Sequence, residues 1–196
     1  LFRSQYGDFG TPSKGEAHAA LTAALPHLTA DDLPARLVRD IQVRTLRAAA
    51  RARRDAFVTG VTGPIPVPAE FVALLRPGMT IASYVPLGSE ADPAAFDRAA
   101  LAGGCRLALP HVVDRATPLR FLAWDGNRDS LVTGPFGLRQ PPAAAPEVAP
   151  DMLLTPLVAF DRALNRIGQG AGHYDRAFAA FPDALRIGIA WRVQQT

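Results

Sequence analysis

The chain has 196 residues, of which 48% are hydrophobic and 20% are charged, and its formal net charge is +3. This length and composition predict one sizeable core, and no apolar run approaches the roughly 20 residues of a membrane helix. The only cysteine, Cys105, has no partner for an internal disulfide. We therefore expect a reducing, cytoplasmic location and interpret this thiol as a buried core group.

The first part of the chain has little hydrophobic pattern. Residues 1–30 are rich in Gly, Ala, Thr and Ser, do not follow the order of a signal peptide, and are predicted to form a loosely ordered extension. Residues 31–196 are predicted to form a single domain. Asp31 and Asp32 precede an approximate helical stripe and indicate where its first helix starts.

That first helix is strongly basic, and three interpretations of its charge are open. The arginines can form a solvated face, one or two of them can contact phosphate, or the helix can bind nucleic acid. No aromatic residues alternate with the basic ones, so base stacking is not supported. The arginines in question are Arg36, Arg39, Arg44, Arg47, Arg51, Arg53 and Arg54.

The middle of the chain shows a strand–helix–strand order. Residues 79–85 predict a buried strand, and residues 105–109 predict a second strand that Pro110 ends. Between them, Asp92 and Pro93 start a helix that runs to a pair of glycines. This order predicts a parallel crossover.

The second half continues as alternating strands and helices. Residues 119–124 predict a strand that begins an antiparallel excursion, whereas residues 152–155 and 186–191 predict further strands and residues 173–180 a helix. The predicted class is therefore α/β with a mostly parallel sheet. Ligands of such sheets collect at the carboxyl ends of the strands, where residues 85–90, 110–115 and 156–175 follow.

The most informative motif is the glycine loop (residues 168–172), in which three glycines alternate between Arg166 and Asp175. Glycine permits positive φ, and bare backbone amides before a helix suit an anion. An arginine and a carboxylate beside such a loop suit a phosphate chain that carries Mg²⁺. The alternative is a tight turn without a ligand. The spacing fits neither a Walker loop nor a dinucleotide fingerprint.

The ordered set of short blocks resembles the 5-formyltetrahydrofolate cyclo-ligase (5,10-methenyltetrahydrofolate synthetase) family. The resemblance implies a three-layer, mostly parallel sheet flanked by helices, of the NagB/RpiA/CoA-transferase type, with an N-terminal helical extension. The blocks are Leu46 and Arg47, then residues 84–92, 107–110, 134–141, 151–156, 159–161, 166–176 and 188–194.

The resemblance also implies an activity. ATP and Mg²⁺ would drive cyclisation of 5-formyltetrahydrofolate to 5,10-methenyltetrahydrofolate through a phosphorylated formyl group, with release of ADP and phosphate. A non-catalytic folate- or nucleotide-binding relative is the alternative, and a protein that binds nucleic acid through the arginine helix is a third, disfavoured hypothesis. The partners expected are a folate and ATP, with no membrane, and the expected state is a monomer.

Site residues follow from the same resemblance. Arg166 and Asp175 are the predicted catalytic residues, and Asp175 is the predicted metal ligand. Val85, Glu90 and Tyr174 are predicted to bind the folate, with a core role as the alternative for Tyr174. Trp191 is predicted to pack in the core. His173 is interpreted as a ring that replaces another aromatic residue. The predicted ATP-binding residues are Arg44, Arg47, Arg166, Ile167, Gly168, Gln169, Gly170, Ala171, Gly172, His173 and Tyr174.

Three departures from the family pattern stand out. Val43 occupies a position that is usually basic, so Arg44 would have to reach around the helix. Leu164 replaces a glycine, and we expect Asn165 to take any strained backbone conformation there. Family members continue beyond the last block with another acidic strand, so an exposed sheet edge is expected after Gln194.

Overall fold

The computed structural model describes residues 35–196, and the predicted extension (residues 1–30) and helix start at Asp31 and Asp32 lie outside this part. The basic segment forms one long helix, α1 (Ala35–Val58). A proline- and glycine-rich loop follows and leads into the short helix α2 (Ala69–Leu74).

A five-stranded sheet forms the centre of the molecule, with the strand order β3-β2-β1-β6-β9. Strand β1 is parallel to β2 and β6, and β6 is parallel to β9, whereas β3 is antiparallel to β2. Helix α3 (Ala94–Ala102) connects β1 to β2. The strands are β1 (Thr80–Ala82), β2 (Arg106–His111), β3 (Arg120–Trp124), β6 (Met152–Pro156) and β9 (Leu185–Ile189).

Two small antiparallel ribbons and one helix complete the described elements. Strands β4 (Val132–Thr133) and β5 (Arg139–Gln140) pair with each other, as do β7 (Ala159–Phe160) and β8 (Arg166–Ile167). Helix α4 (His173–Ala180) has the predicted bounds. Short 3-10 turns span Arg128–Ser130, Pro135–Gly137 and Arg192–Gln194.

Alternation along the strands creates a core on each face of the sheet, because successive strand residues point to opposite sides. Ile81 and Leu107 pack with α2 and α3 on one face. Their neighbours Ala82 and Ala108 pack with Phe178 of α4 on the other face. The predicted three-layer α/β arrangement is therefore confirmed, and α1 packs separately against the ribbon of β7 and β8.

Several strand boundaries differ from those predicted, and β1 (Thr80–Ala82) covers only part of the strand predicted at residues 79–85. The prediction that Pro110 ends β2 is wrong, because Pro110 lies inside the strand opposite Phe121 of β3. Strand β1 pairs with β2 only as far as Ala108, so the missing N–H of Pro110 breaks no bond on that side. The last strand ends at Ile189, and Trp191 instead precedes a 3-10 turn.

The expectation for Cys105 is confirmed, because its thiol is buried and contacts the Arg76 carbonyl at 3.3 Å. Burial raises the pKa of this thiol, and a protonated thiol is a poor nucleophile. None of the helices in residues 35–196 combines the length and apolar character needed to cross a membrane.

One buried carboxyl group makes stability depend on pH. Asp97 in the first turn of α3 is 5% exposed, and burial raises its pKa to about 6, although Ser83 and Arg128 partly oppose this shift. The folded protein therefore holds this proton more tightly than the unfolded chain. Stability should fall as pH rises from about 4 to 6, by roughly 3 kcal/mol.

We therefore expect Asp97→Asn to be more stable than the original chain at pH 7.5, with a gain that disappears near pH 4. Urea denaturation at both pH values measures the difference. Asp40→Asn, an exposed substitution on α1, serves as the matched control and should change little at either pH. An Asp97→Asn variant less stable than the original chain at pH 7.5 would contradict this prediction.

Candidate functional site

The glycine loop connects β8 to α4 at the end of the sheet where the parallel strands finish. Gly170 has φ +109° and Gly172 has φ +68°, which are left-handed values that glycine adopts without a Cβ penalty. Gly172 is the N-cap residue of α4. The loop can therefore turn sharply and direct the amino end of α4 to the space beside it.

The amides of this loop are available to a ligand. Within residues 35–196, no hydrogen-bond acceptor is found for the main-chain amides of residues 169–172. Gln169, Gly170 and Ala171 are exposed. Exposed donors at the start of a helix are the arrangement that binds phosphate groups in many proteins.

Helix α1 supplies arginines to the glycine loop. Arg47 donates from Nε to the Gly168 carbonyl at 2.9 Å, and Arg51 donates to the Gln169 side-chain oxygen at 2.6 Å. A Cβ on Gly170 would lie 3.4 Å from the guanidinium carbon of Arg47, so this glycine also permits a close approach. Arg44 is exposed, and no contact with the loop is found for it within the described chain.

The two predicted catalytic residues contact each other. Arg166 donates to the Asp175 carboxylate at 2.5 Å, and the arginine side chain is 5% exposed whereas the aspartate side chain is 52% exposed. The guanidinium also lies over the Phe178 ring, 4.8 Å from its centre. Packing and the ion pair thus hold a positive charge beside the glycine loop.

Glu90 joins the glycine loop to the end of the first strand. Its buried carboxylate accepts hydrogen bonds from the Leu87 amide at 3.0 Å and from the Gln169 side-chain amide at 2.8 Å. The sequence placed both segments at the carboxyl ends of the strands, and the structure brings them together. Val85 is half-buried and packs against the core on the α3 face.

Tyr174 has a buried hydroxyl with no hydrogen-bond partner among residues 35–196. Burial raises the pKa of Tyr174, and the negative charge of Glu90 raises it further, while Arg166 partly lowers it. The phenol therefore stays protonated at neutral pH. It can donate a hydrogen bond to an acceptor bound near Glu90.

His173 contacts Arg176, with 3.0 Å between Nδ1 and a guanidinium nitrogen. Burial lowers the pKa of His173, and so does Arg176, while Asp114 partly raises it. The imidazole is therefore neutral at pH 7. Arg176 also donates to the carbonyls of Ala171 and Arg115, so it fixes the far end of the glycine loop.

Several of these residues were missed by the sequence-based reasoning. Arg51 lies four positions after Arg47, so both occupy one helix face, and this spacing could have identified it. Ser89 accepts hydrogen bonds from Arg54 and from the Trp191 indole, and nothing in the sequence indicates either bond. Arg176 is the last residue of the block 166–176, but its bond to the distant Arg115 carbonyl depends on the tertiary fold.

A metal ion would find few protein ligands here. In the part of the chain that the structure describes, no group of three or more His, Cys, Asp and Glu side chains could hold a metal. Asp175 is a single exposed carboxylate. Such a residue fits Mg²⁺ that is held mainly by phosphate oxygens and water, because this ion commonly uses only one or two carboxylates.

The turn before the glycine loop corrects one prediction. Leu164, not Asn165, takes the left-handed conformation, with φ +63°. Asn165 instead donates from its backbone and side-chain nitrogens to the Asp161 carboxylate, at 2.9 and 2.8 Å. These two bonds hold Asn165 in place and leave the strained position to the leucine.

Leu164→Gly should therefore stabilise the protein by about 1 kcal/mol, because glycine avoids the steric cost of a Cβ at positive φ. Chemical denaturation measures the change in the free energy of unfolding. Leu164→Ala keeps the Cβ and should show no such gain. Equal stability of the two variants would show that backbone strain at this position is negligible.

Comparison with known proteins identifies relatives of this chain. The sequence model of the 5-formyltetrahydrofolate cyclo-ligase family matches residues 69–195. The 5-formyltetrahydrofolate cyclo-ligase of Mycolicibacterium smegmatis is 39% identical over 105 residues, which are 50% of this chain and 54% of that protein. The enzyme of the same name from Haemophilus influenzae is 39% identical over 66 residues, 31% of this chain and 35% of that protein.

The matched parts thus span about half of the first relative and a third of the second. An NMR structure of Aquifex aeolicus 5,10-methenyltetrahydrofolate synthetase aligns with 93% of this chain and 79% of its own, at 20% identity and a TM-score of 0.49. The family match contains Glu90, the glycine loop and Asp175, whereas α1 precedes it.

Proposed function

This chain belongs to the 5-formyltetrahydrofolate cyclo-ligase family, and from that premise we propose that it catalyses ATP-dependent closure of 5-formyltetrahydrofolate to 5,10-methenyltetrahydrofolate. The observation that carries the proposal is the 2.8 Å contact between Gln169 and Glu90. It places a loop of available amides directly beside a buried carboxylate. A phosphate donor and a folate bound there would lie within reach of each other.

The proposed chemistry makes a poor leaving group into a good one. The formyl oxygen takes the γ-phosphoryl group of ATP, and ADP is released. N10 of the folate then attacks the formyl carbon and loses its proton, and the oxygen departs as inorganic phosphate to leave the methenyl bridge. Such a reaction needs positioning and charge neutralisation more than covalent help from the protein.

The phosphate side of the site would be built by the glycine loop and nearby cations. The amides of residues 169–172, for which the described chain supplies no acceptor, would donate to phosphate oxygens, and Arg47 and Arg51 lie beside them. Arg166 would exchange its Asp175 partner for a phosphate oxygen. Asp175 would then be free to hold Mg²⁺, which supplies further neutralisation of phosphate charge.

The folate side would be built by Glu90, Tyr174 and Val85. The Glu90 carboxylate would accept hydrogen bonds from the N–H edge of the pterin in place of the Gln169 amide. The protonated Tyr174 hydroxyl supplies a donor, and Val85 offers apolar surface. Charge-assisted bonds orient a planar ring more strongly than neutral ones.

A second candidate is a relative that binds folate or nucleotide without turnover. It is favoured by the apolar Val43, which takes a position that is basic in the family pattern. The neighbouring Arg44 is exposed and contacts no described part of the glycine loop. Nucleic-acid binding is less supported, because arginines of α1 are already engaged within the protein. Arg47 and Arg51 bond to Gly168 and Gln169, and Arg54 bonds to Ser89. A cytoplasmic location and a monomeric state stay predictions.

The deciding experiment incubates the purified chain with 5-formyltetrahydrofolate, ATP and Mg²⁺ and follows the near-ultraviolet absorbance of the methenyl product. We expect product, ADP and phosphate in equal amounts, and none when ATP is omitted. Ligand binding by calorimetry without product would support the second candidate. Neither binding nor product from folded protein would reject both.

A further inference from the structure

A third arginine of α1, Arg54, is buried beside the turn that carries Glu90. Its exposed fraction is 5%, and its Nε donates to the Ser89 hydroxyl at 2.8 Å. That hydroxyl in turn donates to the Asp55 carboxylate. Helix α1 therefore holds Ser89 through two neighbouring side chains of opposite charge.

The same serine is held from a second direction. Its carbonyl accepts a hydrogen bond from the Trp191 indole at 3.0 Å, on the segment after β9. Within the turn, the Glu90 amide donates to the Leu87 carbonyl at 3.1 Å, and the Leu87 amide donates to the Glu90 carboxylate. Fixing Ser89 thus fixes the backbone and side chain of Glu90.

Stability alone does not account for a buried arginine at this position. One guanidinium nitrogen, Nη1, is buried and has no hydrogen-bond partner in the described part of the chain, and the Asp55 oxygen lies 3.9 Å from Nε. A buried cation with an unpartnered nitrogen costs free energy. An apolar side chain of similar length would fill the space without that cost.

We propose that Arg54 is a positioning residue for Glu90, acting through Ser89 to hold the carboxylate in the geometry that binds the pterin edge. This rests on the proposed function of Glu90. It adds to the site a residue of α1, which lies before the segment matched by the family. Arg54 would then support folate binding, whereas Arg47 and Arg51 contact Gly168 and Gln169.

Arg54→Met should raise the KM for 5-formyltetrahydrofolate about tenfold, because a loosened turn must be ordered again when substrate binds. The kcat and the KM for ATP should change less than about twofold. Stability in urea should stay the same or increase, because the buried cation with its one unpartnered nitrogen is gone. A purely structural residue would instead lower stability and alter every kinetic parameter.

Further variants test the route through Ser89. Ser89→Ala should raise the folate KM similarly, and the double variant should show little additional effect, since both changes break one connection. Arg54→Lys can still donate to the hydroxyl and should restore part of the affinity. Arg53→Met is the matched control, because Arg53 is the exposed neighbour on the same helix and should leave the kinetics unchanged.

Hydrogen exchange separates this proposal from the proposed function. In protein without ligands, the amides of Leu87 and Glu90 should exchange faster in Arg54→Met than in Arg53→Met. Equal exchange in the two variants, or an unchanged folate KM in Arg54→Met, overturns the positioning role. Faster exchange in a protein that makes no methenyl product would instead uphold the role and reject the enzyme activity.

Discussion

Replacing Asp175 with asparagine should lower the kcat for methenyl formation at least about a hundredfold, which corresponds to roughly 3 kcal/mol of lost transition-state stabilisation. Asparagine keeps the size of the side chain and one oxygen that can accept from Arg166. It loses the charge that would hold Mg²⁺ when Arg166 turns to a phosphate. The effect should therefore fall on turnover, while the KM for the folate stays nearly constant.

The measurement is a steady-state assay at several Mg²⁺ concentrations. The original chain should show saturation by the metal, whereas Asp175→Asn should need far more metal or show no dependence. Asp183→Asn, an exposed change in the turn after α4, controls for lost surface charge. An Asp175→Asn variant with normal kcat and normal metal dependence would remove this residue from the site.

Replacing Glu90 with glutamine should raise the KM for 5-formyltetrahydrofolate about thirtyfold or more, with a smaller change in kcat. A carboxylate accepts two charge-assisted hydrogen bonds, whereas an amide offers one neutral acceptor and a donor that faces the wrong group. Glutamine fits the same space and can still accept a bond from the Leu87 amide. The fold of the turn should therefore survive.

Direct calorimetry of folate binding, together with the KM for ATP, distinguishes this effect from a general loss of activity. Glu70→Gln in the first turn of α2 is the matched control, because Glu70 is exposed. A similar fall in ATP affinity in Glu90→Gln would mean that the variant disturbs the glycine loop through Gln169. Unchanged folate binding would show that the pterin does not use this carboxylate.

The α/β class could be predicted from local sequence patterns and the three layers from the family resemblance, but some boundaries could not. Residues 173–180 carry both a helical period and a glycine start, and the helix has the predicted bounds. Pro110 looked like a terminator because its ring removes a donor, yet whether that donor is needed depends on how far the neighbouring strand extends. The left-handed conformation of Leu164 could not be predicted, because the bonds of Asn165 to Asp161 decide which residue of the turn is strained.

The candidate site, like the fold, could be predicted only in part from the sequence. Alternating glycines beside Arg166 and Asp175 predict an anion-binding loop from sequence alone, because only backbone freedom and charge are involved. The links from Gln169 to Glu90 and from Arg54 to Ser89 join residues far apart in the chain. Such pairs depend on how strands and helices assemble, and a single sequence carries no record of that assembly.

Gln169 lies between the two halves of the site, since its amide nitrogen donates to Glu90 and its oxygen accepts from Arg51. A pterin edge that replaces this amide on the Glu90 carboxylate would change the free energy of the loop that receives phosphate. The affinities of the two substrates are then thermodynamically linked, and reciprocity requires each to alter the other by the same factor. Cooperativity between substrates would thus arise from one neutral side chain, without any movement of domains.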